Sequence, residues 1–152
     1  MKRICIITLL LSACSLLLKA QDSYFDKYAG LDGVTSVYIS KAMLSLMPDM
    51  EAEGINIGKV AEKLDNLQIL TSEKPAIIEK LKKETERFNT KNGYEELMRI
   101  NDGGEKTTIY LKEKKNGQKE LVLLNSEENE FSIIVITGNL SLKEIQGIID
   151  EK

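Results

Sequence analysis

The chain has 152 residues, 42% of them apolar and 30% charged. That is a globular composition, and the length suits one domain that buries a core without disulfides or metal. Acidic residues outnumber basic ones by 24 to 21, for a net charge of -3. This balance argues against nucleic acid or anionic lipid as a partner, since both demand a basic patch. Histidine is absent, which excludes Ser-His and Cys-His nucleophile pairs and imidazole ligation of zinc or haem.

The first twenty residues differ from the rest. Met1-Lys2-Arg3 is a short basic start, Ile4 to Leu18 is almost continuously apolar, and Lys19-Ala20-Gln21 returns to polar sequence. This pattern reads as a secretory signal peptide, residues 1–20, removed by cleavage after Ala20. The apolar run is short for a membrane span, which takes about 20 residues; a retained anchor is the bland alternative. Leu11-Ser12-Ala13-Cys14 resembles a lipobox, so lipidation of Cys14 is the competing outcome. The protein is therefore expected to be exported, periplasmic or secreted, and membrane-anchored only through a lipidated Cys14. Both cysteines, Cys5 and Cys14, lie in the leader, so a chain cut at Ala20 has none. Loss of Lys2, Arg3 and Lys19 lowers the basic count from 21 to 18 against 24 acids, giving -6.

Residues 21–152 are expected to form a single α+β domain. Ser23 to Ala29 is a helical or irregular lead-in carrying Tyr24, Phe25 and Tyr28. Val34 to Ile39 is rich in β-branched residues and predicts a strand. Lys41 to Met47 predicts a helix stopped by Pro48, Gly58 to Leu64 a short helix, and Leu67 to Leu70 a strand. The clearest helix starts near Ser72 as N-cap, with Pro75 in its first turn. Ile78, Leu81, Thr85 and Phe88 give it one apolar stripe, Glu79 and Lys83 lie on its wet face, and Asn92-Gly93 ends it.

The C-terminal third reads as a meander of four strands: Tyr94 to Ile100, Thr107 to Lys114, Glu120 to Leu124 and Phe131 to Thr137. A two-residue turn at Asn116-Gly117 would oppose Glu113 to Glu120 and Lys114 to Lys119, setting like charges together. A three-residue loop with Gly117 left-handed instead pairs Glu113 with Lys119, Lys112 with Glu120, and Leu111 with Leu121. The second register is expected. Phe131 to Ile136 is apolar on both faces, which predicts a central strand covered on both sides. Ser141-Leu142-Lys143-Glu144 is a capping box, with Leu140 and Ile145 as its hydrophobic staple. The predicted whole is a mainly antiparallel sheet with helices packed on it and a final helix.

Few residues suggest chemistry. Asp49 to Gly54 starts like a calcium loop, but position twelve is Val60 where a bidentate Glu is required, so an acidic surface loop is expected. Gly103 to Thr108 has the residue types of a phosphate loop at the wrong spacing, leading into a strand, and reads as a β-turn. Glu127, Glu128 and Glu130 form an acidic turn with nothing to hold two carboxylates at a defined separation. Met43, Leu44 and Met47 share one side of a helix and read as core. No catalytic residue, cofactor or metal is expected.

Five stretches, in order along the chain, resemble the domain of unknown function 4252 family of small exported Bacteroidota proteins. They are Ser36 to Leu44, Leu64 to Leu70, Gly93 to Met98, Ile109 to Leu111 and Ile134 to Leu140. That family has no assigned activity, so the resemblance carries over no functional residue. Its members are often lipoproteins, and some lie beside genes for extracytoplasmic-function sigma factors, which implies an envelope-response role. Three readings stand side by side: a non-catalytic module that binds an envelope protein or peptide, a carrier of a small ligand or lipid, and a carboxylate-based hydrolase.

Overall fold

The computed structural model describes residues 24–46, 51–52 and 55–150. Ala20, Cys14, Met47, Pro48 and most of the calcium-like stretch (Asp49, Met50, Glu53, Gly54) lie outside the described residues. The chain runs through α1 (Tyr24–Ala29), β1 (Thr35–Ser40) and α2 (Lys41–Leu44). A two-residue ribbon, β2 (Glu51–Ala52) with β3 (Ile55–Asn56), precedes a 3₁₀ helix at Gly58–Lys63 and β4 (Leu64–Ser72). Helix α3 (Pro75–Glu84) leads to the meander β5 (Glu95–Asp102), β6 (Glu105–Glu113), β7 (Lys119–Ser126) and β8 (Phe131–Gly138), and α4 (Leu142–Asp150) follows.

Six strands form one antiparallel sheet in the order β1-β4-β8-β7-β6-β5. The expected α+β class is observed, and β8 is central. Every residue of β8 is buried, because both faces of the sheet are covered. Strand alternation divides the core in two. Leu67, Ile109, Leu121, Leu123, Ile134 and Ile136 pack on one face with Leu44, Val60, Ile145 and Ile148 from α2, the 3₁₀ helix and α4. Leu70, Val122, Leu124, Phe131, Ile133 and Val135 pack on the other with Phe25, Tyr28, Ile78, Leu81 and Phe88 from α1, α3 and the segment after it.

The three-residue loop register is the one formed: Glu113 faces Lys119, Lys112 faces Glu120, and Leu111 faces Leu121. Lys114 N donates to Gln118 O at 2.7 Å and Gly117 takes φ +79°, the left-handed position this loop needs. Glu120 ion-pairs with Lys114 at 3.0 Å, not with Lys112 straight across. Lys112 Nζ sits 4.8 Å from the Tyr94 ring centroid, and the Tyr94 hydroxyl donates to Glu120 Oε1 at 2.5 Å.

The capping box also forms. Ser141 N donates to Glu144 Oε2 at 2.8 Å, and Glu144 N donates to Ser141 Oγ at 3.3 Å. Leu140 and Ile145 are both buried in the first core cluster, as a staple requires.

Other boundaries differ from expectation. Ser72 is not the N-cap of α3; Lys74 is, with Pro75 at the first helical position. Ser72 pairs with Phe131 as the last residue of β4. Its hydroxyl donates to Gly33 O at 2.6 Å and accepts from Lys74 N at 3.2 Å. The α-helix ends at Glu84, earlier than its apolar stripe suggests. Thr85 Oγ1 donates to Lys82 O at 2.6 Å, the chain tightens into a 3₁₀ turn over Thr85–Arg87, and Phe88 is buried from outside the helix. Helix α2 ends at Leu44, ahead of Pro48, with Ser45 as its C-cap.

Candidate functional surfaces

A six-stranded open sheet has two edges, and here they differ in chemistry. At one edge, β5 carries Glu95, Glu96, Arg99 and Asp102, and its pairing with β6 is interrupted between Glu96 and Met98. Charges and bulges of this kind guard an edge against further pairing. At the other edge, β1 reads Thr35-Ser36-Val37-Tyr38-Ile39-Ser40. It contains no charge and no proline, and its six pairs with β4 run without a register shift. Tyr38 is 58% exposed and Val37 36%. Among the described residues no strand pairs with the outer side of β1, and main-chain groups on such a side can pair with another extended chain.

The surroundings of β1 extend this apolar character. Of the eight large apolar side chains exposed among the described residues, five (Leu31, Val37, Tyr38, Met43 and Leu46) come from the segment 31–46. Ion pairs mark both ends of the strand. Before it, Lys74 Nζ lies 2.5 Å from Asp32 Oδ2, and the ammonium holds the Asp32 carboxyl below its ordinary range. After it, Lys41 Nζ lies 3.3 Å from Asp65 Oδ1, and Gln118 Nε2 donates to the other oxygen of Asp65. Exposed pairs of this sort contribute little to stability, but they set charge beside both ends of the uncharged strand.

The remaining sequence candidates do not converge. Gly103 and Gly104 form the two-residue β5–β6 turn, both at positive φ (55° and 102°), as primed hairpin turns demand. Glu127, Glu128 and Glu130 lie in the β7–β8 turn. There Glu127 accepts from Asn125 Nδ2 at 3.0 Å, and Glu130 accepts from Ser132 Oγ at 3.4 Å. Phe25 and Tyr28 fold back into the core, where the Tyr28 hydroxyl donates to Glu84 Oε1 at 3.0 Å. Leu44 is buried, but Met43 is 49% exposed, so the expected core stripe is split between inside and outside.

Several carboxyl groups are perturbed, and in one direction. Lys27 draws Glu84 below its ordinary range, and Lys63, with the Ser141 cap, draws Glu144 down to about 2. A general acid at neutral pH needs the opposite shift. Among the described residues no group of three His, Cys, Asp or Glu side chains is placed to hold a metal. A groove of about 420 Å³ between the 3₁₀ helix and α4 and one of about 680 Å³ between α1 and α3 both open to solvent. A lipid carrier needs an enclosed chamber instead. No helix among the described residues is long and apolar enough to cross a membrane.

Residues 28–148 match the family model described as a domain of unknown function, DUF4252. No curated protein matches the chain. No solved structure matches it.

Proposed function

The chain belongs to the DUF4252 family, and from its leader and its folded geometry together we propose that it is an exported, non-catalytic binding module. Its β1 edge takes up an extended, uncharged segment of an envelope protein as a seventh strand. The observation that carries this reading is the contrast between the two edges: β5 is charged and interrupted, whereas β1 is uncharged and regular. An unguarded edge in a monomer invites aggregation, so an edge left in this condition is best accounted for by a partner. Added strands gain affinity from main-chain hydrogen bonds and specificity from alternate side chains. Val37 and Ile39 would read one face of the incoming segment and Tyr38 the other.

Export rests on the leader, with cleavage after Ala20 and lipidation of Cys14 as the two forms in which the protein would reside in the envelope. The intact mass of protein recovered from envelope fractions distinguishes them.

Photo-cross-linking in the native host tests the binding reading. With p-benzoylphenylalanine in place of Tyr38, discrete adducts are expected, and the same reagent in place of Leu97 on the opposite edge should give none. Equal capture at both positions, or none at position 38, would overturn it.

A further inference from the structure

On the second face of the sheet, the C-terminal end of α3 stands over β6, β7 and the start of β8 and leaves an open cleft of about 290 Å³. Lys82 of α3 and Lys106 of β6 flank it, Thr108 and Ser126 add hydroxyls, and Leu124 and Phe131 form an apolar floor. Among the described residues, no carboxylate lines it.

Two features of this cleft call for a ligand. Thr108 is only 4% exposed, yet its hydroxyl has no hydrogen-bond partner among the described residues. Buried hydroxyls without partners are uncommon and costly, and each asks for a reason. The residue before it supplies the contrast: Thr107 Oγ1 donates to Asn125 Oδ1 at 3.0 Å on the other face. The second feature is charge. Lys82 and Lys106, like Lys80, Lys83 and several other lysines, make no ion pair among the described residues; what sets these two apart is that they flank one cleft whose lining holds no carboxylate. Lys82 Nζ instead lies 5.9 Å from the Phe131 ring centroid, at the mouth of the cleft.

The geometry points to a binding site for an anionic monosaccharide, a sugar carrying one carboxylate or phosphate. The oxyanion lies between the two ammonium groups, which are strong charge-assisted donors. Thr108 and Ser126 hydrogen-bond the ring hydroxyls, and the C–H face of the ring rests on Phe131 and Leu124. The volume is at the low end for ligand pockets, which fits one ring and not an oligosaccharide. This site is separate from the β1 edge and stands or falls independently of it.

Calorimetric and NMR titration of the purified chain with glucuronate, glucose 1-phosphate, glucose and inorganic phosphate tests the proposal. One or both charged sugars should bind saturably at one site, with the largest shifts at Thr108, Ser126 and Phe131. Glucose and inorganic phosphate should bind at least about tenfold more weakly, because each lacks half of the recognition. The double variant Lys82→Gln/Lys106→Gln alters only exposed side chains and should weaken the charged sugar by about tenfold or more. Thr108→Val should weaken it several-fold while the protein stays folded. The proposal is overturned by inorganic phosphate binding as tightly as the sugars, by affinities unchanged in both variants, or by no saturation below about 10 mM.

Discussion

Replacing Thr108 by valine should make the unliganded protein more stable, although it deletes a hydroxyl from a well-packed strand. The two side chains have nearly the same shape and both favour strands, so packing around position 108 is conserved. What changes is the hydroxyl of a residue that is 4% exposed, a hydroxyl without a partner among the described residues. Shielding such a group from most of its water costs up to about 1–3 kcal/mol, and removing it recovers what is lost at the foot of the cleft. A gain of about 1–2 kcal/mol raises Tm by about 3–8 °C in a domain of this size. The neighbouring substitution Thr107→Val is the internal control. Thr107 is equally enclosed but bonded to Asn125, and its loss should destabilise by about 1 kcal/mol. Urea denaturation of both variants, with unchanged m-values, reads the two signs. If both substitutions destabilise by the same amount, the reasoning about the cleft fails.

Other expectations concern the frame of the fold. A Cβ added at Gly138 would lie 2.5 Å from Lys63 O and 2.9 Å from Leu64 Cα, both backbone atoms, so Gly138→Ala should cost about 1–3 kcal/mol in urea unfolding. Ile134→Ala empties a site 1% exposed at the sheet centre and should cost about 2–5 kcal/mol by the same assay. Glu144 is drawn by Lys63 and the Ser141 cap from an ordinary 4.5 down to about 2. A depressed folded value gives stability that is complete above the unfolded pKa and lost as pH falls through the folded one. Wild-type Tm should therefore decline between about pH 4.5 and 2, and Glu144→Gln should flatten that limb; parallel curves would contradict the assignment. Val37→Lys puts a charge on the open edge and should leave stability within about 0.5 kcal/mol while abolishing the cross-link from position 38.

Local chemistry was readable where a few neighbouring residues decide the outcome. The β6–β7 register followed from like-charge avoidance at Glu113 and Glu120 and from a glycine where the loop turns left-handed. The α4 capping box and the doubly apolar β8 were likewise visible, because each is a pattern within ten residues. What decides function in this account is long-range. That β1 lies at an edge follows from β4 pairing with β8, over 60 residues away, and nothing inside Thr35–Ser40 reports it. The uncharged composition of the strand was in view, but it signals an open edge only once the topology is known. Lys106 and Thr108 belong to a stretch that resembles a phosphate loop at the wrong spacing, yet their two-residue separation places them on one strand face, lining the same cleft as Lys82. The cleft appears only when α3 is laid across the sheet. Ser72 misled for the same reason: its cap-like composition was overridden by strand pairing with Phe131.

Amide hydrogen exchange along β1, measured on the protein alone and in complex with the partner cross-linked from position 38, is the sharpest test of strand addition at this edge. Strand addition protects alternate amides of Thr35 to Ser40, in a period of two, and leaves β5 unchanged. Protection confined to the helices, or spread evenly over β1 and β5, would contradict it.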